Sequence, residues 1–234
     1  MNLLMLAAAV APAAWLMKKV YDLDTIEKEP TNLLLRLLLL GVLSTVPAIF
    51  LEWVVGSVLK AALDGTGIIF AFAQSFLGVA LIEEGCKYFF LRWGAWKRPE
   101  FNCRFDGVVY AVFVSLGFAL LENINYVFTF GLQVALSRAL LAVPMHAVCG
   151  VYMGIWMGEA MLQQHRGQTQ FIKANLAKSL WIPVLLHGIY DGCLILGTQT
   201  SVLVFMAFVV ILFIYTLKRV RAFAQQDQYF YSAQ

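Results

Sequence analysis

Leu33–Leu59 reads LLLRLLLLGVLSTVPAIFLEWVVGSVL, a run whose only charges are Arg36 and Glu52. As an α-helix it would reach about 40 Å, more than the roughly 30 Å hydrocarbon core of a bilayer. It lacks the period-two alternation of a barrel strand. Pro47, near its middle, adds the expectation of a kink or tilt. Comparable runs recur at Asn2–Met17, Ile68–Leu91, Gly107–Phe130, Ala135–Met157, Ala177–Gly197 and Val202–Leu217. The predicted fold is an all-α, polytopic integral membrane helical bundle of about seven transmembrane helices. Composition agrees: of 234 residues, 61% are apolar and 13% charged, where a soluble domain carries about 25% charged residues. Mean hydropathy is +0.76. Such a chain cannot cover itself in water, so a soluble or disordered protein is excluded.

Charge placement sets an expected orientation. The first segment has no basic residue before its apolar run, and Lys18 and Lys19 follow it. That reverses a cleavable secretory signal and reads as a retained anchor with its N-terminus outside. On that topology the inner segments and adjoining span ends hold fourteen of the 17 basic residues. The outer loops hold Lys60 and Arg138, and Lys87 lies inside a span. This asymmetry obeys the positive-inside rule and puts the C-terminus in the cytoplasm. The net charge of +3 gives no case for nucleic acid. Cys86, Cys103, Cys149 and Cys193 have no ligand-type spacing and read as small apolar residues. The acidic stretch Asp22–Glu29 reads as a solvated loop. Residues 1–234 read as one transmembrane domain whose chemistry-bearing core is about 68–197.

Ionisable groups at bilayer depth cost several kcal/mol and usually face a cavity or a partner. Here they cluster. The third span carries Glu83, Glu84 and Lys87; the fourth, Glu122, Asn123 and Asn125; the fifth, His146; the sixth, His187 and Asp191. Glu83 and Lys87 are four apart and can pair across one helical turn, as can His187 and Asp191. Gly150, Gly154 and Gly158 form a small-residue ridge below His146, which suits close helix packing. Singly, each feature reads as structural glue. Together, on four successive helices, they predict a polar functional site. Glu52 has no partner visible in the sequence and receives no role.

Three chemistries fit the set. A buried glutamate can deprotonate a water that attacks a carbonyl, with histidines stabilising the oxyanion. Two histidines and a carboxylate can instead bind zinc. The same groups can line a proton or ion path in a transporter, although no internal repeat is present. Haem held by His146 and His187 would leave Glu83, Glu84 and Asp191 unexplained. Ser75 and Ser115 lack a nucleophile setting, and an aspartyl dyad lacks its second deep Asp. Lys87, one turn from Glu83, would repel a divalent ion, so metal-free hydrolysis is favoured and zinc stays as the alternative. One difficulty stands on these spans. Glu83 falls nearer the inner end than Glu122, His146, His187 and Asp191, by about 10 Å.

Glu83-Glu84-x-x-Lys87, Phe118-x-x-x-Glu122-Asn123, the lone His146 and His187-x-x-x-Asp191 resemble the four ordered motifs of the PrsW family of intramembrane proteases. These are relatives of the CAAX prenyl endoproteases and the Abi/CPBP proteins. The likeness covers spans three to six, about half the chain. It implies a helical hydrolase in which Glu83 or Glu84 activates water and His146, His187 and Asp191 surround the scissile carbonyl. Glu122 belongs with this catalytic set; Lys87, Phe118 and Asn123 bind substrate or support it. In the CAAX relatives the second motif ends in His, where this chain has Glu122, which favours PrsW over prenyl processing. The family has been described both as metal-dependent and as glutamic. The resemblance further implies a membrane-tethered protein substrate, with an anti-sigma factor or similar regulator as one example. It also implies a place in the bacterial cytoplasmic membrane, in contact with the lipid bilayer.

Overall fold

The computed structural model describes residues 3–231. Its helices long and apolar enough to cross a membrane are α1 (Leu3–Leu23), α2 (Thr31–Ala62), α3 (Gly67–Ala95), α4 (Asp106–Phe130), α5 (Gln133–His165), α6 (Thr169–Leu196) and α7 (Gln199–Gln225). The seven-span, all-helical expectation holds. Asn2, the expected start of the first segment, lies outside the described residues. The helices overrun the apolar stretches from which they were read. α6 begins at Thr169 and not Ala177, and α7 continues to Gln225. Apolar composition marks the bilayer crossing, whereas backbone hydrogen bonding carries a helix into its polar flanks.

α4 is the central helix. It packs against α1, α2 and α5; α6 packs against α5 and α3, and α7 lies on α6. The α4–α5 contact is unusually close. A Cβ placed at Gly154 would stand 2.3 Å from the carbonyl oxygen of Gly107, and one at Gly158 would stand 2.2 Å from that of Arg104. The ridge read from the sequence therefore brings backbone against backbone. Buried hydroxyls fix the register. Ser115 Oγ of α4 donates to the His146 carbonyl at 2.6 Å, and Ser179 Oγ of α6 donates to the Met153 carbonyl at 2.7 Å.

Two helices change winding just before they deliver functional residues. Gln74–Ala80 in α3 and Arg138–Ala142 in α5 are π-helical. Such segments re-phase the face that follows and concentrate at functional sites. Span three also runs to Ala95, so its midpoint, residue 81, is close to Glu83. The expected depth gap between Glu83 and the other polar groups therefore disappears.

The acidic segment departs from its expected solvated state. Asp22 is exposed and pairs with Lys18 at 2.8 Å, but Asp24 and Glu29 are 1% and 4% exposed. Glu29 Oε2 accepts a 2.5 Å hydrogen bond from Tyr110 of α4. The C-terminal segment covers the same end: Phe230 N donates to the Asn102 carbonyl at 2.8 Å, and Asp227 Oδ1 accepts from Phe105 N at 2.8 Å.

Gly154→Val should force α4 and α5 apart and cost about 1–3 kcal/mol or more, because overpacking here meets backbone. Gly85→Ala is the control, since a Cβ there meets nothing within 4 Å. Thermal unfolding of purified protein should show a lower midpoint for the first variant and an equal or higher one for the second.

Candidate active site

The four polar motifs converge inside the bundle. At their centre stands the ammonium of Lys87, fully buried, 2.9 Å from Glu83 Oε2, 2.8 Å from Glu84 Oε1 and 3.0 Å from His146 Nδ1. Three N–H donors thus meet three acceptors. The predicted Glu83–Lys87 pair is present, and Lys87 proves to join α3 to α5 as well. Its ammonium also lies 4.1 Å from the centroid of Phe118 on α4.

That contact fixes a tautomer. His146 Nδ1 accepts from the ammonium, so Nε2 carries the hydrogen and donates to Glu122 Oε2 at 2.9 Å. Glu122 also pairs with Arg138 at 3.0 Å. Arg138 Nε donates to Asn123 Oδ1 at 2.8 Å, and Asn123 Nδ2 donates to the Ala9 carbonyl at 2.7 Å. Asn123 therefore holds α1 and Arg138 in place, and it does not line the cavity. Arg138, expected in an outer loop, is a mostly buried part of α5 and belongs to the site. Sequence reading missed it because it lies near the end of an apolar run, where a basic residue passes for a flank.

His187 does more than pair with Asp191. Its Nδ1 is 2.8 Å from Glu84 Oε1, while Nε2 is 3.4 Å from Asp191 Oδ2. The His146 and His187 rings meet edge to face, their centroids 5.5 Å apart. Glu83, Glu122, His146, His187 and Asp191 all line one cavity of ≈ 530 Å³. Glu84 does not line it and is 0% exposed. A second cavity, ≈ 430 Å³, adjoins the first, and both are lined by Glu52, Glu83, Glu122 and Tyr126. Glu52, given no role from sequence, thus faces the site from α2. Its only signal was its depth in an apolar run.

The chain matches the PrsW family intramembrane metalloprotease over residues 29–217. The chain belongs to the PrsW family. Protease PrsW of Oceanobacillus iheyensis is 36% identical over 92% of this chain and 94% of its own length. Its counterpart in Halalkalibacterium halodurans is 35% identical over 96% and 99%, and that of Bacillus subtilis 37% over 80% of each. No solved structure matches the chain. This PrsW-family member is a protease, which decides against the transporter reading of the same carboxylates.

The family's description implies a metal ion, and the donors fit one in kind. Ligand atoms of Glu83, Glu84 and His146 lie within 4.8 Å of one another, as do those of Glu84, Cys149 and His187. Glu84 Oε2 is buried with no hydrogen-bond partner, so a carboxylate oxygen is free. Carboxylate and imidazole are ordinary zinc ligands. Cys149, read from sequence as a small apolar residue, reaches this group only through folding. Lys87 already uses one atom from each of Glu83, Glu84 and His146.

Lys87→Met should leave Glu84 charged and buried beside a lost partner, at a cost of about 3–5 kcal/mol. Pairing it with Glu84→Gln should recover much of that loss. A double-mutant cycle in thermal or denaturant unfolding measures the coupling, and additive effects would refute it.

Proposed function

We propose that this protein is an intramembrane endopeptidase in which Glu83 is the water-activating carboxylate. One observation carries the choice: of the two adjacent glutamates, Glu83 opens on the cavity while Glu84 is sealed between Lys87 and His187. Glu83 takes a proton from a water in the cavity as that water attacks the scissile carbonyl carbon. The same carboxyl then passes the proton to the leaving amine. His187 lines the cavity with Nδ1 on Glu84 and Nε2 3.4 Å from Asp191; its Nε2–H would turn from that long contact to the developing oxyanion. His146, its one N–H committed to Glu122 and its Nδ1 to Lys87, lines the same cavity and ties those two groups together. Asp191 orients His187, and Phe118 supports the Lys87 ammonium. Glu84 is a positioning residue in this scheme.

A divalent ion held by Glu83, Glu84 and His146 would supply Lewis acidity and a more acidic water. We favour the metal-free form, because the ammonium of Lys87 already supplies a positive charge to those three groups. The substrate proposed is a membrane-tethered protein, and an anti-sigma factor or similar regulator is the family-level example. The positive-inside asymmetry supports the bacterial cytoplasmic membrane with the N-terminus outside. Ser137 near the start of α5 and Ile195 near the end of α6 line the cavity. On that orientation it opens toward the outer face. A cysteine in the Lys97–Arg104 turn should therefore be labelled from the cytoplasmic side alone.

Purified protein should hydrolyse a membrane-tethered peptide in detergent. Glu83→Gln should lower kcat by about 10²-fold or more, with a small fall in the unfolding midpoint because Lys87 loses one anionic partner and keeps Glu84. Glu84→Gln should lower the midpoint as well. Full activity in Glu83→Gln would defeat the assignment. Activity should also survive thorough demetallation; roughly one zinc per chain, lost on chelation together with activity and restored with it, would reverse the metal-free choice.

A further inference from the structure

The end of the bundle that holds the α1–α2 turn carries a second cluster, remote in role from the cavity. Carboxylate oxygens of Asp24, Glu29 and Asp106 lie within 4.8 Å of one another, and all three residues are buried. They come from the α1–α2 turn and the first residue of α4. Asp106 Oδ2 accepts from the backbone N–H groups of Asn102 (2.9 Å) and Cys103 (2.6 Å), but Oδ1 is buried and unpartnered. Asp24 is 1% exposed, and neither of its carboxylate oxygens has a partner. Among the described residues no ion pair reaches these three carboxyls. The nearby cation, Lys28, directs two of its three N–H groups to the backbone carbonyls of Tyr21 and Asp24 and makes no ion pair with the Asp24 carboxylate. Glu27 and Asp227 add further negative charge around the cluster.

Buried polar groups are normally paired, and buried charge is normally neutralised by a partner or a metal. An unpartnered carboxylate facing two others, in an all-oxygen donor set, has the chemistry of a hard-cation site. We propose that Asp24, Glu29 and Asp106 form a binding site for a divalent cation of the calcium or magnesium class. The ion would fasten the α1–α2 turn to the start of α4. This site is structural and independent of the proposed mechanism.

The test uses the full chain, purified in detergent and stripped with a chelator. Added calcium chloride or magnesium chloride should raise the unfolding midpoint by on the order of 5 °C at a hundredfold excess over Kd. The two salts, run as separate arms, decide which ion the site prefers. Equilibrium dialysis should find one ion per chain. Glu84→Gln should retain both results, which separates this site from the catalytic donors. Asp24→Asn should abolish them, and in chelator it should be at least as stable as the parent because one buried charge is gone. No midpoint shift with either salt, or a shift that survives Asp24→Asn, would overturn the proposal. Should that variant fail to fold, dialysis of the parent and of Glu84→Gln still decides: no bound ion overturns the site, and one per chain in both supports it.

Discussion

The Lys87 ammonium is the point on which the interior depends. A lysine at bilayer depth costs about 2.5–3.5 kcal/mol even on permissive scales. Here the cost is offset because every N–H of the ammonium has an acceptor. The acceptors are themselves shared. Glu84 passes the connection to His187 on α6, and His146 on α5 passes it to Glu122 on α4. One cation thereby links the four helices that carry the polar motifs. Such a network is worth most when closed, because in a low-dielectric interior each missing partner leaves a desolvated charge.

Closure needs the helices held to within tenths of an ångström, and the backbone supplies that. Ordinary side chains between α4 and α5 would hold them apart, whereas Gly107 and Gly154 let carbonyl oxygen and Cα meet directly. Ser115 then pins the His146 backbone itself. The imidazole is thus located by its own peptide group as well as by its ring contacts. Groups held in place in this way cost no reorganisation when charge develops near them.

The architecture was legible because a bilayer leaves few options: apolar runs of sufficient length must be helices. The motif residues were legible for the related reason that charge in such runs stands out. Three things were not. The pairing of Glu84 with His187 joins residues 103 apart, and no local spacing encodes it. Arg138 and Glu52 look like a flank and an accident until the helices are assembled. Asp24 and Glu29 sit in a charged, Pro-bounded stretch that looks solvated, and they are buried by segments distant in sequence, Tyr110 among them. The π-helical stretches before Glu83 and His146 also lack a sequence signal, although they set which face those residues present.

The different placement of Glu83 and Glu84 begins with helical geometry. Consecutive residues on an α-helix point about 100° apart. With α3 wedged between α2 and α6, the two carboxylates leave the helix in different directions: Glu83 lines the cavity and Glu84 does not, although an oxygen of each reaches Lys87. Glu84 turns into the packed interior, where Lys87 and His187 are its partners. The other keeps one shared oxygen on Lys87 and presents its remaining surface to the cavity that His146, His187 and Asp191 line. A Glu-Glu pair therefore yields one carboxylate anchored in the packing and one open to the cavity, and the anchored one fixes the position of the histidine beside which the other stands.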